Sequence, residues 1–172
     1  ILSFILVALG IIFFIAFSFR KVSKPVSSWK YGLIAVTTLI HDIIIPVGAF
    51  AVLSHFYGTE VDTLFVVAIL TILGLSVSDT IVVFDRIREN IHGGSSTSFE
   101  EKVGKSLEQV FTRSIATSFT VIVVLLALVF FGPESTKVFA MMLTAGMFFG
   151  TYSSIFLASP LLVLIERSQK KA

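Results

Sequence analysis

Five stretches of this 172-residue sequence are each apolar enough, and long enough or nearly so, to cross a lipid bilayer. A crossing helix needs roughly 20 consecutive apolar residues, and backbone polar groups in hydrocarbon must be satisfied within the segment itself. The stretches are Ile1–Phe19, Tyr31–Leu53, Leu64–Phe84, Ser114–Phe131 and Val138–Leu164. None alternates with the period of two that a barrel strand requires. The expected fold class is therefore all-α, a polytopic membrane helical bundle with five transmembrane helices. With 55% hydrophobic and only 14% charged residues, the chain is far from the make-up of a soluble enzyme or a disordered tail. The absence of Cys excludes a disulfide scaffold, thiol catalysis and Cys-based metal sites. A net charge of +2 gives no reason to expect a nucleic-acid partner; the partner that composition implies is membrane lipid.

The connections orient the bundle. Arg20, Lys21, Lys24 and Lys30 fall in the first, and Arg86, Arg88, Lys102 and Lys105 in the third. Arg167, Lys170 and Lys171 close the tail. Basic residues mark the cytoplasmic side. Connections one and three and the C-terminus are thus expected inside, and Ile1 outside. An apolar start on the outer side, with no Met and no signal-peptide pattern, points to an upstream segment of one more span and an outer portion. The third connection, 85–112, reads as a cytoplasmic loop. In it Ser98-Phe99-Glu100-Glu101 forms a capping box. Phe99, Val103, Leu107 and Val110 then recur at helical spacing. That pattern predicts a short amphipathic helix, either lying on the membrane surface or packed on the end of the bundle.

Ionisable groups inside apolar spans are costly and face a partner or a water-filled path. Asp42 lies eleven residues beyond Tyr31, ~17 Å along the helix and close to the bilayer midplane. It shares a stripe with Thr38 and Pro46. His41 projects about 100° away, which argues against a simple His–Asp pair. Asp79 lies six residues before Asp85, ~9 Å inside the membrane, and Arg113 enters from the same side on the next span. Opposite charges at similar depth on consecutive helices are natural partners. A carboxyl group in a low-dielectric wall takes up a proton more readily, and a nearby guanidinium, always charged, opposes this. Moving one relative to the other would switch proton binding. The proton-coupling candidates are therefore Asp79, Arg113 and Asp42, with Ser78, Thr80 and Thr117 as local hydroxyl partners. Gly146-x-x-x-Gly150 is a helix-packing signature. Plainer roles fit the same residues: Arg113 snorkelling to headgroups, a static Asp79–Arg113 pair, and a neutral Asp42 bonded to a neighbouring helix.

The run Gly74-Leu75-Ser76-Val77-Ser78-Asp79-Thr80-Ile81-Val82-Val83-Phe84-Asp85-Arg86-Ile87-Arg88-Glu89-Asn90 closely resembles the signature of the SecF family of bacterial protein-export membrane subunits. Arg113-Ser114-Ile115-Ala116-Thr117-Ser118, the run Gly150 to Pro160, and His41-Asp42 resemble that family's other motifs. Leu75 and Ser78 stand where Tyr and Asn are common in it. The resemblance implies a six-span, RND-like fold of which this chain holds spans two to six, without the first span and the periplasmic domain. It implies a subunit of the bacterial inner membrane, not an enzyme, driven by the proton gradient without a bound cofactor or metal. The implied partners are SecD, the SecYEG channel and a translocating preprotein. Asp79 and Arg113 take the positions implicated in proton conduction. The competing classes are a small-molecule exporter of the RND superfamily and a purely structural scaffold. An intramembrane protease would want Gly-x-Ser-Gly or Gly-Asp, and neither occurs.

Overall fold

The computed structural model describes residues 27–58, 60–93 and 97–171, together with Gly10, Phe13 and Phe17. The described chain forms α1 (Ser28–Tyr57), α2 (Thr63–His92), α3 (Phe99–Phe131) and α4 (Glu134–Ser153). A π-helical turn (Ser154–Ala158) then leads into α5 (Ser159–Lys171). Among the described residues, four helices are long and apolar enough to cross a membrane, against the five expected, the last running from Glu134 to Gln169. The expected first span, 1–19, lies outside the described residues apart from Gly10, Phe13 and Phe17, which are helical.

Helix ends are set by local chemistry. The Asp62 carboxylate accepts from the Phe65 N–H at 2.8 Å and starts α2. The expected capping box starts α3: the Glu101 N–H donates to Ser98 Oγ at 3.2 Å, and the Ser98 N–H donates to Glu101 Oε2 at 3.0 Å. α1 stops at Gly58, whose φ of 65° is a left-handed conformation that favours glycine.

Residues 85–112 do not form a loop carrying a separate short helix. α2 continues to His92, and Phe99 opens a single 33-residue helix that runs unbroken to Phe131. The physical reason is packing. Phe99, Val103 and Val110 are buried against Phe84, Ile87 and Leu162, so the amphipathic face is held by the bundle end, leaving the helix no reason to break before the span. Asn90 Nδ2 donates to Ser106 Oγ at 2.7 Å and to Gln109 Oε1 at 2.8 Å, pinning α2 to α3 there.

Side-chain contacts fix the directions of the helices. Tyr31 meets Phe84 and Phe50 meets Phe65, so α1 and α2 are antiparallel. Gly146 lies on Ile72 and Gly150 on Ser76, so α4 runs parallel to α2. α2 and α4 occupy the middle, with α1 and α3 on opposite flanks. Only 11% of the most apolar window of α3 is buried, against 39% for α1 and α2, which makes α3 the most exposed of the four. One end of the bundle carries Lys30, Arg86, Arg88, Lys102 and Arg167, and the other carries Glu60, Asp62 and Glu134. The core is divided. An apolar cluster at the basic end includes Tyr31, Ile34, Val83, Phe84, Ala158 and Leu162. A second cluster toward the acidic end includes Leu39, Phe50, Ile72, Leu73, Met142 and Leu143.

Candidate functional site

Between the two apolar clusters lies a layer of carboxyl and hydroxyl groups. Asp42 is at its centre and is fully buried. Its Oδ2 accepts from Ser153 Oγ of α4 at 2.7 Å and from Ser76 Oγ of α2. Its Oδ1 lies 3.0 Å from His41 Nδ1. One carboxyl group therefore ties three helices together. Pro46, four residues on, has no N–H to give the Asp42 carbonyl, which loosens α1 at this level.

The His41–Asp42 contact overturns the expectation that the two point apart. The 100° separation applies to Cα–Cβ directions, and a swing about χ1 and χ2 brings the proximal ring nitrogen back across it. His41 is 37% exposed and Asp42 is fully enclosed, so the imidazole spans the wall of the bundle.

Asp79 sits on the other flank of α4 and is partly buried. Thr151 Oγ1 lies 3.2 Å from Asp79 Oδ2 and 3.0 Å from the Met147 carbonyl, so one hydroxyl proton serves two acceptors and the bond to Asp79 is weak. Thr151 Oγ1 also meets Ser118 Oγ of α3. Ser153 and Thr151 are two residues apart, and through them α4 touches both carboxyls.

Arg113 does not close an ion pair with Asp79 among the described residues. It is exposed and lines a cleft of about 260 Å³ with Asp85, Arg86, Glu89 and Gln109. Equal depth on neighbouring helices does not fix azimuth: Asp79 turns toward α4, and Arg113 turns toward the polar end of α2. Nor do the expected hydroxyls serve Asp79. Ser78 is exposed, and Thr117 is exposed and donates to the Arg113 carbonyl at 2.9 Å. Thr80 is buried, and its Oγ1 has no protein partner. Thr151 takes their place. Ser76, Ser153, Thr151 and Ser118 carry little signal as single residues, since hydroxyls in apolar helices usually bond the preceding turn. The clustering of Gly146, Gly150, Ser153 and Ser154 on one span was the available clue.

Gly146 and Gly150 let α4 approach α2. A Cβ on Gly146 would collide with the Ile72 side chain, and one on Gly150 would lie 3.5 Å from Ser76 Cβ. At both positions α4 runs close against α2.

A buried hydroxyl without a partner costs free energy, and replacing it by an isosteric methyl removes that cost. Thr80→Val is therefore expected to raise the thermal midpoint of the purified protein, by about 1 kcal/mol in stability. A lowered midpoint would mean that the hydroxyl is bonded to internal water.

The family described as "Protein export membrane protein SecD/SecF, C-terminal" matches residues 1–168. A protein named Protein translocase subunit SecF from Thermobaculum terrenum is 52% identical over 166 residues, covering 96% of this chain and 51% of that protein. One of the same name from Synechocystis sp. is 40% identical over 161 residues, covering 94% of this chain and 49% of its own. This chain thus spans about half the length of these curated relatives. A crystal structure of SecDF in its super-membrane-facing form superposes with a TM-score of 0.83 at 34% identity, over 95% of this chain and 21% of that one.

Proposed function

The chain belongs to the SecD/SecF protein-export membrane family, and on that premise we propose that it is the membrane bundle of a Sec translocation subunit which couples proton movement to protein export. The observation that carries the coupling is the polar layer. Two carboxyl groups, Asp42 and Asp79, flank α4 between two apolar clusters, each held by a hydroxyl of α4. Hydroxyls donate to an ionised carboxylate, whereas a protonated carboxyl must itself donate. Each protonation change therefore rearranges bonds between α4 and its neighbours. The weak Thr151–Asp79 bond is the easier of the two to exchange, and Asp42, with two hydroxyl donors, is the stiffer.

In this reading Asp79 carries the proton. Arg113, placed at the mouth of a polar cleft on the neighbouring helix, is the fixed positive charge that would favour release if the helices brought the two together. Asp42 is the second carboxyl of the route. The basic end faces the cytoplasm, and the RND-like bundle lies in the bacterial inner membrane. The partners are SecD, the SecYEG channel and a preprotein leaving on the far side. The likeness to the SecDF structure supports the first of these. The subunit performs no covalent chemistry, and its energy source is the gradient itself.

The test uses the full-length subunit with its SecD partner in proteoliposomes containing the channel. Asp79→Asn keeps the shape and the Thr151 contact but removes the titration. The gradient-stimulated part of precursor export should disappear, and the gradient-independent part should remain. A full response to the gradient in Asp79→Asn would rule out Asp79 as carrier.

A further inference from the structure

Resting on the reading of Asp79 as carrier, we propose that Ser118 is a positioning residue which, through Thr151, transmits the protonation state of Asp79 to α3. Three groups on three helices are bonded in series: Asp79 on α2, Thr151 on α4 and Ser118 on α3. Thr151 Oγ1 lies 3.2 Å from Asp79 Oδ2 and against Ser118 Oγ, and both hydroxyls are buried. Each hydroxyl also has a carbonyl of its own helix in reach. Met147 O is 3.0 Å from Thr151 Oγ1, and Ser114 O is 2.8 Å from Ser118 Oγ.

A hydroxyl gives one hydrogen and accepts others, so the series is satisfied in either direction. With Asp79 ionised, Ser118 donates to Thr151 and Thr151 donates to the carboxylate. With Asp79 protonated, the carboxyl donates to Thr151, Thr151 donates to Ser118, and Ser118 donates to the Ser114 carbonyl. No donor is stranded in either setting. The Met147 and Ser114 carbonyls lie inside α4 and α3, where each accepts from the backbone N–H four residues on, so neither is orphaned when a hydroxyl turns away. Every hydroxyl keeps its own hydrogen, and only the proton on Asp79 is exchanged.

The two settings differ in strength. A donor chain that ends on a carboxylate is charge-assisted, roughly twice as strong as a neutral one, and each bond in it polarises the next. α3 is therefore drawn to α4 while Asp79 is ionised and held less firmly once it is protonated. Beyond Val110 the buried residues of α3 are Ser114 and Ser118, so the contact that changes is the one that seats the membrane part of this helix. Hydroxyls that served only packing would be complete on the carbonyl one turn back. These two also face each other and the carboxyl.

The test uses the full-length subunit with its SecD partner, reconstituted with the channel. Nitroxide labels on Val52→Cys of α1 and Val124→Cys of α3, both exposed positions, report the seating of α3 by double electron–electron resonance. Asp79→Asn, whose amide donates as a protonated carboxyl does, should broaden and lengthen the distance distribution. Ser118→Ala should give that broad distribution with Asp79 intact, and adding Asp79→Asn should change nothing further. Ser118→Thr, and Thr151→Ser from the α4 side, keep the hydroxyls and should restore both the narrow distribution and its response to Asp79→Asn. Gradient-stimulated export should fall about three- to tenfold in Ser118→Ala and in Thr151→Val, and no further in the double variant, because the two hydroxyls act as one unit. A serine that only packs would loosen α3 on removal yet leave the parent's α3 unmoved by Asp79→Asn, and that result would overturn the proposal. If Asp79→Asn abolishes gradient-stimulated export while Ser118→Ala exports as wild type, the transmission through Ser118 fails and the coupling reading stands. If Asp79→Asn exports normally, the coupling reading fails, and the transmission is judged on the distances alone: an α3 that answers Asp79→Asn equally with and without the Ser118 hydroxyl overturns it.

Discussion

Gly146→Leu is expected to prevent stable packing of α4 on α2. Even the first carbon of a side chain there would overlap Ile72, which is itself only 1% exposed. Overpacking by a methylene or two typically costs about 1–3 kcal/mol. Gly146→Ala should fall in that range, and Gly146→Leu above it. The decisive comparison is a double-mutant cycle in thermal melts of purified protein. Ile72→Ala alone should destabilise by about 2–5 kcal/mol through the cavity it leaves. Combined with Gly146→Ala, the pair should be less damaging than the sum of the two, by 0.5–3 kcal/mol or so of coupling. Simple additivity would mean that the two positions do not touch.

Asp42→Ala is the second large effect. It removes the acceptor of the buried Ser76 hydroxyl and leaves the buried Ser153 hydroxyl only the Gly150 carbonyl, 3.0 Å away. Hydrogen bonds to charged groups are worth about 1.5–3 kcal/mol each, and a buried donor left unsatisfied adds its desolvation cost. The expected loss is about 3 kcal/mol or more in thermal or denaturant melts. Asp42→Asn keeps one carbonyl oxygen for the two hydroxyls and should cost less than half as much. Equal stability of Asp42→Ala and the parent would mean that Asp42 is not the junction of the three helices.

The spans containing Asp42, Asp79 and Thr117 were legible in the sequence because hydrocarbon tolerates no other long apolar segment. Their ends were not. Residues 85–92 and 99–112 carry enough charge to look like connection, yet they stay helical because Ile87, Phe99 and Val103 pack on the bundle end. Asp42 as a buried carboxyl followed from its depth and from the small, polar stripe around it. Its partners did not, since Ser76 and Ser153 are ordinary residues for a membrane helix until a carboxylate lies between them. The Asp79–Arg113 pairing rested on depth alone, and depth says nothing of which way a side chain faces around the helix axis. The His41 argument failed for a related reason: it treated side chains as rigid spokes, whereas adjacent polar residues on one helix can fold toward each other.

The unbroken α3 has a mechanical consequence. At 1.5 Å per residue its 33 residues make a rod ~50 Å long, well beyond a ~30 Å hydrocarbon core. Its foot is clamped by the Ser98–Glu101 box and by the Arg167–Glu100 ion pair, while its far half has few neighbours. A stiff beam anchored at one end amplifies angle into travel: a tilt of about 5° at the foot sweeps the tip through ~4 Å. Small rearrangements near Ser118, part-way up the beam, would then emerge as a stroke at the opposite face of the membrane without any bond in the beam itself being broken.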